Sequence, residues 1–191
     1  MSLRLAQDPD ADALLEADPF ALLTGMLLDQ QIPMERAFAG PATIARRLGV
    51  ARLDPAEIAA MDDQQFTEAL SEAPAVHRFP GSMAARVKAL ARTIVEDYDG
   101  DAAAGWTTAQ DGADLVSRLA ALPGFGTQKA QIFTALLGKQ LGVQPSGWRA
   151  AAGSYGQDGS RRSIADVTGP ESLNEVRAFK KALKAAAKAH G

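Results

Sequence analysis

Residues 122–130 read Leu-Pro-Gly-Phe-Gly-Thr-Gln-Lys-Ala, a string suited to gripping an anion. Apolar Leu115, Leu119 and Leu122 before it, and Ile132, Phe133, Leu136 and Leu137 after it, recur at helical spacing, so two helices meet at a short hairpin. Pro123 ends the first helix, while Gly124 and Gly126 permit positive φ and close approach by another molecule. The amides of Gly126, Thr127, Gln128 and Lys129 open the second helix. They have no carbonyl one turn back to bond, so they can point at a phosphate, with the helix dipole assisting. A second cluster lies in residues 18–36. There a buried helix runs into Asp29 and the adjacent amides Gln30 and Gln31, and Pro33 closes the segment.

The elements that must position these groups read as helices almost throughout. Asp18-Pro19 forms the cap and first residue of a helix whose stretch from Phe20 to Leu28 is apolar on nearly all sides and therefore buried. Pro33 to Leu48 is helical, with a break expected at Gly40-Pro41. Asp54-Pro55-Ala56-Glu57 has a capping-box pattern, and Asp62 or Asp63 caps another short helix. Ser82 precedes a long helix with Met83, Val87, Leu90, Ile94 and Tyr98 on one stripe, ended by Asp99-Gly100-Asp101. A glycine-rich stretch from Gly142 to Gly159 holds one short helix near Trp148–Tyr155, and Leu173, Val176, Phe179 and Leu183 define the last helix. No alternating β-branched run is long enough for a strand, so the fold class is all-α.

Composition narrows the chemistry. With 191 residues, 47% of them hydrophobic, the chain suits one large or two small domains with an ordinary core. The absence of cysteine excludes disulfides, thiolate zinc sites and a cysteine-ligated iron–sulfur cluster. His77 and His190 are the only histidines, so no metal site is expected. No long apolar run and no charged-then-apolar leader occur, which gives the expectation of a cytoplasmic protein without a membrane partner. The net charge of −3 hides an asymmetry. Residues 1–120 hold 10 Lys/Arg and 19 Asp/Glu, whereas residues 121–191 hold 10 and 4. Basic charge gathers in the half that contains the hairpin, the sign that DNA requires. Lys180, Lys181, Lys184 and Lys188 read equally well as part of that footprint or as the solvated face of a terminal helix.

The L-P-G-F-G hairpin, preceded about ninety residues earlier by Pro-Phe-Ala-Leu-Leu-Thr-Gly-Met-Leu-Leu-Asp-Gln-Gln-Ile-Pro, resembles the HhH-GPD superfamily of base-excision DNA glycosylases. The first part of that pattern is shared broadly with endonuclease III-like members, and Gln-Gln-Ile-Pro is most similar to 3-methyladenine DNA glycosylase II. Residues 76–95 resemble the family's glycine-turn helix between the two motifs. The resemblance implies a six-helix barrel over residues 18–140, with a second helical layer built from 1–17 and 141–191. Damaged or distorted double-stranded DNA would lie over the cleft between them, bound by a monomer. A target nucleotide must leave the stack before its glycosidic bond can be reached. Gln31 matches the glutamine that fills the vacated space, with Gln30 beside it; both read alternatively as caps of the preceding helix. Gln30 or Asp29 could equally face the flipped base. A monovalent cation held by hairpin carbonyls is a further implication.

The family's catalysts are where the chain departs. An aspartate that stabilises the cationic sugar is expected at Pro145 or Ser146, and neither can carry charge. The Schiff-base lysine of lyase-type members falls on Gln128. Lys129 lies about 100° further around the helix and is expected at a phosphate or in solvent. Three readings follow. One is a monofunctional glycosylase for a damaged, alkylated base with its carboxylate supplied from elsewhere, Asp29 first and Asp158 or Asp166 less well placed. The second is an inert module for distorted duplex, and the third a helical protein–protein module. Trp148 reads as a stacking wall of a base pocket or as core; Tyr155 and the Arg161-Arg162 pair stay unassigned.

Overall fold

The structure is a computed structural model that describes residues 2–191. Eleven α-helices occur among these residues and no strand does. The N-terminal body begins with α1 (Pro9–Ala17), α2 (Pro19–Leu28) and α3 (Met34–Leu48). It continues through α4 (Pro55–Ala60), α5 (Asp63–Ser71) and α6 (Pro80–Tyr98). Asp18 caps α2 through its Oδ1, which accepts from the Phe20 and Ala21 amides at 3.0 and 3.2 Å, while its Oδ2 accepts from Leu53 at 2.6 Å. That second bond ties the chain leading into α4 to the start of α2. Every residue from Phe20 to Leu28 is buried, so α2 runs through the core as its apolar circumference requires. Helices α1, α3 and α6 pack around it, and α4 and α5 lie on α6.

The second group comprises α7 (Ala104–Thr107), α8 (Gly112–Ala120), α9 (Thr127–Gln140), α10 (Trp148–Ala151) and α11 (Pro170–Ala189). Helices α8 and α9 form the hairpin, α10 and the short turns at 153–156 and 164–166 lie on α9, and α11 packs on the 164–166 turn. One continuous apolar core joins both groups. No helix among the described residues is long and apolar enough to cross a membrane.

Two expectations about elements are corrected. Helix α3 continues through Gly40-Pro41 without a break. Buried Ala37, Phe38, Ile44 and Ala45 on both sides hold it in register, and their packing outweighs the backbone bond that proline forfeits. The long helix begins at Pro80, not after Ser82, because proline's fixed φ suits the first helical position.

Candidate active-site cleft and nucleic-acid interface

The C-terminal end of α2 is finished by side chains from two other places, one of them buttressed from a third. Its exposed carbonyls need donors. Gln30 Nε2 donates to Leu27 O at 2.9 Å, and Lys129 Nζ donates to Met26 O and Leu27 O, each at 2.8 Å. Arg86 in turn donates to Gln30 Oε1 at 3.1 Å. Gln30 is thereby committed to capping the helix. Gln31, by contrast, is exposed and held at φ +59°, in the left-handed region.

His77 fixes this loop from beneath. It is 1% exposed, its Nε2 donates to Gln30 O at 2.8 Å, and its Nδ1 accepts the Phe79 amide at 3.0 Å. Those two bonds require the neutral ring, and burial lowers its pKa in the same sense. The loop at 29–33 and the loop at 76–79 are therefore joined through one imidazole.

The hairpin faces the same end of α2. Gly124 and Gly126 have φ of +81° and +83°, and a Cβ on Gly124 would lie 3.1 Å from Leu27, so the turn rests directly on α2. No side chain caps α9, and Thr127 and Gln128 are exposed at its first turn. The carbonyls of Pro123, Gly124 and Phe125 accept no hydrogen bond among the described residues.

Between α2, α9, the 153–156 turn and α11 lies a cleft of about 350 Å³. Asp29, Gln128, Lys129, Tyr155, Arg162, Phe179 and Lys180 line it. Asp29 is half-buried, and no donor reaches its carboxylate among the described residues. Burial raises its pKa, opposed by the charges of Lys180 and Lys129. Burial also lowers Lys129 to about 8, against the attraction of Asp29. Gln128 Nε2 donates to the Tyr155 hydroxyl oxygen at 3.0 Å, and the Arg162 guanidinium lies over the Phe179 ring at 5.0 Å. Outside the cleft, a groove of about 1120 Å³ runs between the Asp29–Met34 loop and the basic face of α11, with Lys180, Lys181, Lys184 and Lys188 on its wall.

A family model for HhH-GPD superfamily base excision DNA repair proteins matches residues 24–188. The chain belongs to that superfamily. No curated protein and no solved structure matches it. The HhH-GPD match spans the C-terminal half of α2, the hairpin and nearly all of α11, so cleft and groove both fall within it. Base excision repair makes DNA the partner of the domain.

Within this HhH-GPD domain, the structure brings Asp29, Gln30, Gln128 and Lys129 to one cleft and sets Gln31 on the adjoining groove. Lys129, expected outward, is turned inward, because the carbonyls ending α2 offer it acceptors that solvent-facing neighbours do not. Pro145 and Ser146 lie away from the cleft lining; Ser146 O accepts the Gly112 amide at 2.8 Å and serves the start of α8. The chain past α9 reaches the cleft at Ser154 and Tyr155 instead. Asp158 pairs with Arg149, and Asp166 with Lys139, on the other side of α9. Trp148 is core: it is 7% exposed, and a Cβ on Gly138 would fall 2.4 Å from its ring. Tyr155, Arg162 and Phe179 line the cleft without any motif to announce them, and His77 lies in the 76–95 segment with no role read for it from the sequence. The one visible hint was an aromatic in the glycine-rich stretch and an arginine pair just after it.

Proposed function

We propose that the protein is a monofunctional DNA glycosylase that binds damaged duplex DNA as a monomer and hydrolyses the N-glycosidic bond of a base flipped into this cleft. The supporting observation is Asp29: a half-buried carboxylate without a donor, on the wall of a nucleoside-sized cleft beside the hairpin. The phosphate backbone would run along the hairpin amides and the lysines of α11, and Gln31 would occupy the gap left in the stack. As the C1′–N bond breaks, positive charge builds on the sugar, and a nearby carboxylate lowers that state electrostatically. Gly124, Gly126, Thr127 and Gln128 serve the phosphate, while Lys129 acts as countercharge to Asp29 within the cleft. A monovalent cation fits the unused carbonyls of the Pro123–Phe125 turn, where it would add positive charge against a phosphate.

The test is base release from duplexes carrying uracil, hypoxanthine, an alkylpurine or mispaired adenine, read as alkali-induced scission, with Asp29→Asn as control. Scission by the wild type that Asn abolishes is expected. Absence of scission on all four, with salt-dependent duplex binding retained, would reduce the protein to a binding module. Salt-independent or undetectable binding would leave a protein–protein module.

Lys129 favours a second reading. An inward amine with a pKa of about 8 is a competent nucleophile toward the aldehyde of an abasic sugar. Borohydride would then trap a covalent adduct that Lys129→Arg loses; no adduct on abasic duplex removes this reading.

A further inference from the structure

We infer that the cleft is built for a base that leaves its sugar as an anion, a neutral carbonyl-bearing base such as uracil or an oxidised pyrimidine, and that it disfavours a cationic N-alkylpurine. Granted the excision reading on which this rests, the deciding observation is the charge of the walls. Three cations, Lys129, Arg162 and Lys180, face one carboxylate, Asp29. They come from three separate elements and are held by the fold. Lys129 is fastened to the end of α2, and Arg162 has its amide bonded to Asp166 Oδ2 at 2.8 Å and its guanidinium over Phe179. Lys180 is half-buried beside them on α11.

A cationic adduct would carry its charge into this set and meet repulsion strengthened by partial burial. The Phe179 ring, one of the two aromatics lining the cleft, is already covered by the guanidinium of Arg162. Moreover, a cationic base departs neutral, so cations give its transition state nothing.

A neutral base behaves in the opposite way. Heterolysis of the C1′–N bond sends the electron pair to the base nitrogen, where it spreads onto the ring carbonyls, and leaves the sugar as an oxocarbenium ion. The three cations stabilise the first charge and Asp29 the second. Both charges develop only in the transition state, so this stabilisation accelerates the step. Water then adds at C1′ and its proton passes to the departed base, which balances the reaction. Tyr155 fits the same substrate: its oxygen is occupied by Gln128, leaving the hydroxyl proton for a base carbonyl.

The test compares single-turnover release from matched duplexes containing uracil, 5-hydroxyuracil, 7-methylguanine or 3-methyladenine, each divided by its uncatalysed rate. Acceleration for the two neutral bases is expected to exceed that for the two cationic ones by about a hundredfold. Arg162→Gln should lower the neutral-base acceleration by about tenfold more than the cationic one, with affinity for undamaged duplex reduced by less than that. Equal or greater acceleration of the cationic bases overturns the inference and leaves excision standing. So does an Arg162→Gln variant that loses duplex affinity by the same factor as release, since the arginine would then be a phosphate contact. Release from none of the four overturns the excision reading, and this inference with it.

Discussion

Helix α9 carries two lysines that each approach an aspartate, and the two pairs could hardly differ more. Near its C-terminus, Lys139 Nζ lies 2.6 Å from Asp166 Oδ1. Asp166 is 6% exposed and also accepts from Ser160 Oγ and the amides of Arg162 and Ser163. Near its N-terminus, Lys129 spends its protons on α2 carbonyls, and Asp29 receives no donor among the described residues. A buried charge is costly unless its hydrogen-bonding capacity is filled. The first pair meets that condition and is a clasp for the 160–166 loop. The second leaves it unmet at the wall of a cleft. Under the excision reading, a substrate would complete that unfilled capacity at the concave site.

Four measurements test this contrast, from the largest effect to the smallest. Asp166→Ala leaves Lys139 without its partner and should cost about 3–5 kcal/mol in denaturant unfolding, whereas Asp29→Asn should leave stability within about 1 kcal/mol of wild type. A comparable loss in both would erase the distinction. In base release the order reverses, with Asp29→Asn lowering the rate by about 10²–10³; full activity in that variant removes Asp29 from the chemistry. Next is pH. Because Lys129 titrates at about 8, release should fall as pH rises through that value and the ammonium is lost. The acid limb should lie above the ordinary carboxylate range, since burial raises Asp29 and release requires its charged form. Lys129→Arg should push the alkaline limb upward, and an unmoved limb would assign it to another group. Smallest is Lys184→Gln on the groove wall, which should reduce the salt slope of duplex binding by about one while leaving discrimination between lesions unchanged.

The fold was more legible than the site. Helix α2 followed from its all-round apolar run and the Asp18-Pro19 start, and the hairpin from Pro123 with two glycines, because those signals are local. Gly40-Pro41 misled, since the packing that carries α3 through the proline comes from residues around it and across the core. For the candidate site, motif alone pointed to Gln31 and the hairpin amides. Arg162 and Phe179 were not, because their pairing joins two segments whose approach is set by Asp166 and the turn before α11. Lys129 failed for a related reason: helical angle places a side chain's root, and the acceptors available at its tip decide where it goes.

His77 has a consequence beyond holding two loops in place. Under the excision reading, the segment bearing Gln31 and the segment bearing Arg78, which also lines the groove, would meet the duplex as one stiff probe, because a single buried ring bonds both. Their conformational entropy is surrendered when the chain folds and not at the encounter with DNA. Under the excision reading, little in the protein then changes from one base pair to the next. Selection among pairs passes to the duplex, which yields a nucleotide to the same rigid edge most readily where damage has already weakened stacking and pairing.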